Sequence, residues 1–98
     1  MGNLFFDEPG VKLVPRRPYR KGDVLRWEAD TEIHYLVTSE PRVLNAGTPY
    51  EQTNMDILRI TSDRPQIAPV GDRLPNWPIH KNARVLIVAE NQEIPDHG

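Results

Sequence analysis

The stretch YRKGDVLRWEADTEIHYLVTS, residues 19–39, decides the fold. It reads as a basic lead-in, a strand, a polar turn and a second strand. Side chains alternate across a strand, so Leu25 and Trp27 share one face while Val24, Arg26 and Glu28 share the other. In the second half, Ile33, Tyr35 and Val37 lie on one face and His34, Leu36 and Thr38 on the opposite one. Each strand therefore has an apolar side for a core and a mixed side for solvent or a partner. Gly22-Asp23 marks the start of the first strand, because glycine accepts backbone angles that other residues avoid. Ala29-Asp30-Thr31 supplies the turn, with Asp30 placed to hydrogen-bond its own backbone. A lone hairpin is marginal in water, so the rest of the chain must contribute further strands.

Those strands are readable on both sides of the hairpin. Val11-Lys12-Leu13-Val14 predicts a short one, ended by Pro15, and residues 40–47 predict a turn followed by a short strand through Val43 and Leu44. Residues 48–54 form a loop able to hold one helical turn, with Thr48 as cap, Pro49 as first residue and Glu51 completing a capping box. Met55 to Thr61 predicts a strand partly buried on both sides. Val85-Leu86-Ile87-Val88-Ala89, inside the segment 84–90, predicts the most deeply buried strand, central or closing a barrel. Ten prolines argue against long helices, since each interior proline costs about 3 kcal/mol. Residues 64–83, with four prolines and Gly71, predict a long connection in which Ile67 and Val70 make a short edge strand. Connections of that length are more often functional than mere linkage. The expected fold is all-β: a small, partly open SH3-like barrel of five or six strands with one long Pro-rich connection. With 98 residues the chain makes a single domain over 1–98, with 1–10 and 91–98 loosely ordered.

Composition excludes several function classes. There is no cysteine, hence no disulfide, thiolate nucleophile or cysteine metal site, which fits a reducing compartment. No apolar run reaches the ~18 residues of a membrane span, and the first residues show neither a signal-peptide pattern nor a myristoylation pattern. The expectation is a soluble, cytoplasmic protein. The net charge of −2 conceals four positive charges within six residues, Arg16, Arg17, Arg20 and Lys21, which leave −6 for the remainder. Bulk charge of that kind does not make a general nucleic-acid binder.

Catalytic patterns are missing. His34, His80 and His97 are not at metal-ligand spacing, neither Ser39 nor Ser62 sits in a nucleophile elbow, and the six glycines are isolated. The chain is expected not to be an enzyme and to carry no metal or cofactor. What remains is display. Pro15 and Pro18 hold their segment extended and remove two backbone donors, which puts Arg16, Arg17, Tyr19, Arg20 and Lys21 on show as a partner-binding set. Trp77, between Pro75 and Pro78, either covers the core or anchors a partner, with His80 beside it. Leu4, Phe5 and Phe6 have the same two readings. The leading expectation is a non-enzymatic interaction module that binds another protein. Compact chains of this sort occur among phage or mobile-element accessory proteins that inhibit host machinery. The alternative is a nucleic-acid-binding small barrel that uses the Arg16–Lys21 segment, aided by Arg26.

Lys21-Gly22-Asp23-Val24, leading into Tyr35-Leu36-Val37-Thr38-Ser39, resembles the opening of the small barrels in the plasmid-addiction ribonuclease toxin family. There a Gly-Asp-hydrophobic strand precedes a strand ending Val-Val-Ser. The resemblance covers about a fifth of the chain and implies a small barrel and a ribonuclease toxin-like activity as a second alternative. The Arg-Pro pair that precedes the second strand in that family is absent, and no catalytic residue carries over.

Overall fold

Alternating apolar residues and turn-forming punctuation build an antiparallel structure throughout. The computed structural model describes residues 7–8, 11–12 and 17–95. The expectations for Leu4, Phe5, Phe6, Leu13, Val14, Arg16 and His97 lie outside the described residues. The backbone of β1 (Asp7–Glu8) pairs with β2 (Val11–Lys12), Asp7 opposite Lys12 and Glu8 opposite Val11. The main sheet holds β3 (Val24–Trp27), β4 (His34–Val37), β5 (Arg42–Leu44), β6 (Gln52–Thr61), β7 (Arg73–His80) and β8 (Val85–Ala89). β8, β3 and β4 follow one another onto one edge of β6, β5 continues along that same edge, and β7 pairs with the other, giving a curled half-barrel of SH3-like form. Among the described residues there is no helix, and so none long and apolar enough to cross a membrane.

The hairpin forms as its alternation requires. Val24 faces Leu36 and Leu25 faces Tyr35 across the β3–β4 pair. Leu25, Trp27, Tyr35 and Val37 all turn to the inner face. There they join Met55 and Ile57 of β6, Ile79 of β7, and Val85 and Ile87 of β8. Full burial of each such aliphatic contributes about 1.5–3 kcal/mol, which makes this cluster the main stabilising unit. A smaller cluster on the outer face joins Val24, Leu36 and Leu58, with Ile60, Val88 and Ile94 packed on it. The turn differs from the expectation in one respect, because the Asp30 carboxylate accepts from Arg64 at 2.7 Å.

Strand β6 organises the rest. β4 and β5 run along one of its edges in succession, Val37 facing Ile57 and Arg42 facing Asn54, so that 34–44 and 52–61 make one long hairpin. Its interruption at 38–41 is stitched by Thr38 N–H to Asp56 O (2.9 Å) and Asp56 N–H to Ser39 Oγ (2.9 Å). The 45–51 turn closes that hairpin without a helix. The Thr48 hydroxyl accepts the Tyr50 N–H, while the Glu51 carboxylate takes the N–H of Gly47 instead of completing a capping box on Thr48.

Three further sequence expectations change. The long Pro-rich connection narrows to residues 62–72, because 73–80 form β7 and pair along β6. Its prolines are tolerated because β7 lies at a sheet edge, where a missing donor breaks no further ladder. One extra residue bulges between Trp77 and Leu74, which face Met55 and Ile57, and Asn76 takes a φ of 53° there. Ile67 and Val70 are not an edge strand but exposed turn residues. The apolar run of β8 is not central: β8 ends the sheet and pairs with β3 alone among the described strands.

Candidate functional site

The segment expected to display its arginines is partly a clamp. Asp23 is 1% exposed at the start of β3. It receives two N–H groups of Arg17, at 2.9 and 2.7 Å, and the backbone N–H of Arg20 at 2.7 Å. Arg17 also reaches Glu90 at 2.8 Å, tying the segment to the end of β8. Hydrogen bonding to Asp23, reinforced by Glu90, holds the Arg17 guanidinium above the ordinary arginine range. Arg17 is therefore turned inward, not displayed. Tyr19 is half-buried and packs on the inner core, while Arg20 and Lys21 are exposed. Arg26, expected to help that segment, is 2% exposed and donates to the carbonyls of Trp27 and Glu28 at 3.2 Å each. The Gly-Asp pair behind the ribonuclease resemblance is thus occupied in structure-forming contacts.

Trp77 stands opposite Met55 and packs half-buried on the inner core, with its indole Nε1 buried and without a hydrogen-bond partner. His80 is exposed at the end of β7. Its Nδ1 accepts the Asn82 N–H at 3.1 Å, so the proton sits on Nε2 and points at the Pro49 carbonyl, 3.2 Å away. His80 therefore braces the 45–51 turn. Lys81 Nζ does the same through the Thr48 carbonyl at 3.0 Å.

That brace leads to the site sequence reasoning missed. Across three strands Leu44 faces Gln52, which faces His80, and Arg42 faces Asn54, which faces Pro78. Asn54, 5% exposed, is covered by a chain of amides. Gln52 Nε2 donates to Asn54 Oδ1 (2.7 Å), and Asn54 Nδ2 donates to Asn76 Oδ1 (3.1 Å). Arg42 shares that Asn76 oxygen at 2.7 Å. On this well-tied base Val43 (55%), Leu44 (43%) and Tyr50 (74%) stay in solvent. The sequence does signal it: two adjacent aliphatics follow Pro41 on a short strand, and a tyrosine sits in an otherwise polar turn. A second exposed aliphatic pair, Ile67 and Val70, stands on the 62–72 loop. That loop is pinned by Arg64 to Asp30 and by Arg59, lying over the Tyr35 ring, to Asp72 at 3.1 Å.

Among the described residues no three His, Asp or Glu side chains are grouped to hold a metal. A shallow polar depression of about 260 Å³ lies between Glu28 and residues 81–86, spanned by the Glu28–Arg84 ion pair. The Arg84 hydrogen bonds hold the Glu28 carboxyl below the ordinary range, against an opposing push from burial. Comparisons with protein-family models, curated proteins and solved structures find no match for this chain.

Proposed function

We propose that this chain is a non-enzymatic binding module that engages another protein along the rim made by β5 and the 45–51 turn. The observation that supports it is the exposure of Val43, Leu44 and Tyr50 together at one hairpin end. Exposed apolar and aromatic side chains are the usual anchors of a protein interface, and here Val43 and Leu44 present one on each face of β5. The turn that carries Tyr50 is fixed by Thr48, Glu51, His80 and Lys81, so little ordering remains to be done on binding. Withdrawal of Arg17 and Arg26 into the fold weakens the nucleic-acid alternative, which keeps Arg20 and Lys21 as its exposed cations among the described residues.

The test is photo-crosslinking in a native lysate with a photoreactive residue in place of Tyr50, at low and high salt. The expected result is a discrete protein adduct that persists at high salt and disappears in a Leu44→Glu background with unchanged circular dichroism. A nucleic-acid adduct that fades steeply with salt would replace this reading with the alternative, because phosphate contacts are lost as log salt rises. An adduct indifferent to Leu44→Glu would count against the rim.

A further inference from the structure

From the register of β6 we infer that the rim receives its partner as an added β-strand, antiparallel to β5, bearing an acid opposite Arg42; this inference rests on the protein-binding reading above. Backbone groups alternate sides along β6. Its odd-numbered residues turn toward β7, as Lys81 N–H to Glu51 O (3.1 Å), Arg59 N–H to Asp72 O (2.9 Å) and Gly71 N–H to Arg59 O (2.8 Å) show. Its even-numbered residues turn the other way, as Thr38 N–H to Asp56 O shows. Gln52 and Asn54 therefore bond Leu44 and Arg42, their register partners, and strand alternation turns the N–H and C=O of Val43 to the outer edge. An outward donor and acceptor on one residue is the chemistry that a neighbouring strand satisfies.

The limits of the edge are also set. Pro41 has no N–H to extend the pairing, and Asn45 leaves the strand at a φ of 56° with its carbonyl already taken by Thr48. The other edge beside β6 is closed to this use, since β7 carries Pro75, Pro78 and the Asn76 bulge. Arg42 decides between partners. It is exposed, its bond is to Asn76, and no carboxylate lies within ion-pair distance of it among the described residues. Two copies paired about Val43 would set Arg42 against Leu44 of the other copy, leaving the cation uncompensated. A foreign strand with an acid at that position compensates it, and opposite charges across a strand pair are favourable. Antiparallel order then places an apolar residue against Leu44, a β-branched one against Val43 and an acid against Arg42.

The experiment titrates the isotope-labelled full chain with a short peptide centred on isoleucine-valine-glutamate, followed by amide NMR. Expected are shifts concentrated on residues 42–45, with the Val43 amide moving most. N-methylation of the peptide's central valine should weaken binding about fivefold or more, the worth of one hydrogen bond. A lysine in place of the glutamate should weaken it on the native chain and bind normally to Arg42→Glu. Equal binding of the N-methylated peptide, shifts elsewhere, or none at millimolar peptide would overturn strand addition. If the Tyr50 adduct still forms in that case, the binding-module reading stands and only the strand geometry falls; if it does not form, both fall.

Discussion

Replacing Arg17 by Met is expected to cost about 3 kcal/mol of folding stability. Asp23 is 1% exposed and its two carboxylate oxygens take three N–H groups, two of them from Arg17. Breaking a buried pair by removing one partner costs about 3–5 kcal/mol, because the remaining charge is stranded. The low end applies here. Arg17 keeps 15% of its side chain in solvent, the Arg20 N–H still holds Asp23, and Met preserves the apolar stem. Asp23→Asn should cost about 2 kcal/mol, since an amide oxygen still accepts from Arg20 while Arg17 loses its fork. The double variant should fall short of the sum by about 1.5 kcal/mol or more, because neither charge is then left alone. Glu90, 42% exposed, should matter by less than about 0.5 kcal/mol when changed to Gln. Urea unfolding followed by Trp27 and Trp77 fluorescence measures all four. With a slope of about 1–1.5 kcal/mol per molar, Arg17→Met should lower the midpoint by about 2–3 M. A loss below about 1 kcal/mol, or additive single and double variants, would refute the clamp.

The Glu28–Arg84 pair gives a pH prediction. Because the folded carboxyl is held below its ordinary value of about 4.3, its stabilisation is complete above that value and lost as pH falls through the lowered one. Thermal melts of the native chain and Glu28→Gln should therefore differ near neutrality and converge in acid; a difference constant with pH would remove the ion pair from the account. Gly22 holds a φ of +93° and a Cβ there would stand 3.3 Å from the Gln92 carbonyl oxygen. Gly22→Ala should accordingly cost about 1–3 kcal/mol by circular dichroism melting, and a smaller loss would mean the turn can relax. Trp77→Phe discards a buried indole N–H that has no partner, recovering about 1–3 kcal/mol against the apolar area lost. It should leave stability within about 1 kcal/mol of the native chain, and a denaturation loss above 2 kcal/mol would show that the N–H is satisfied in solution.

The β3–β4 hairpin was legible because the inner face of each strand carries the main core while the outer face mixes Arg26, Glu28 and His34 with Val24 and Leu36, so period-two alternation survives in the sequence. Strand β6 was legible from Met55 onward, where apolar residues fill the pattern. Its first three residues, Gln52-Thr53-Asn54, read as loop because their stability comes from amide hydrogen bonds and not from apolar burial. Strand β7 was hidden by prolines, yet Leu74, Trp77 and Ile79 all pack on the inner core, offset by the bulge residue. The run in β8 read as central or closing a barrel because both its faces are partly covered, and coverage by the outer cluster cannot be told from a neighbouring strand in sequence alone. For the site, charge misled at Arg17 and Arg26, while Arg20 and Lys21 are exposed as expected. Arg17 finds a buried carboxylate six residues on, through a loop whose path no periodicity encodes, and Arg26 is covered where alternation left it on the mixed face. His80 was singled out as a partner contact, whereas its visible role is to hold a turn whose exposed tyrosine carried no motif.

The sheet order places the first strand of the barrel between β4 and β8, so one side of β3 waits for residues 85–89 before it is sealed. During synthesis a chain that has emerged through β7 holds a bare edge on Leu25 and Trp27, with Val85 and Ile87 missing from its interior. Closure of the half-barrel therefore depends on a pairing between strands about 60 residues apart in sequence, the kind of non-local contact that slows folding.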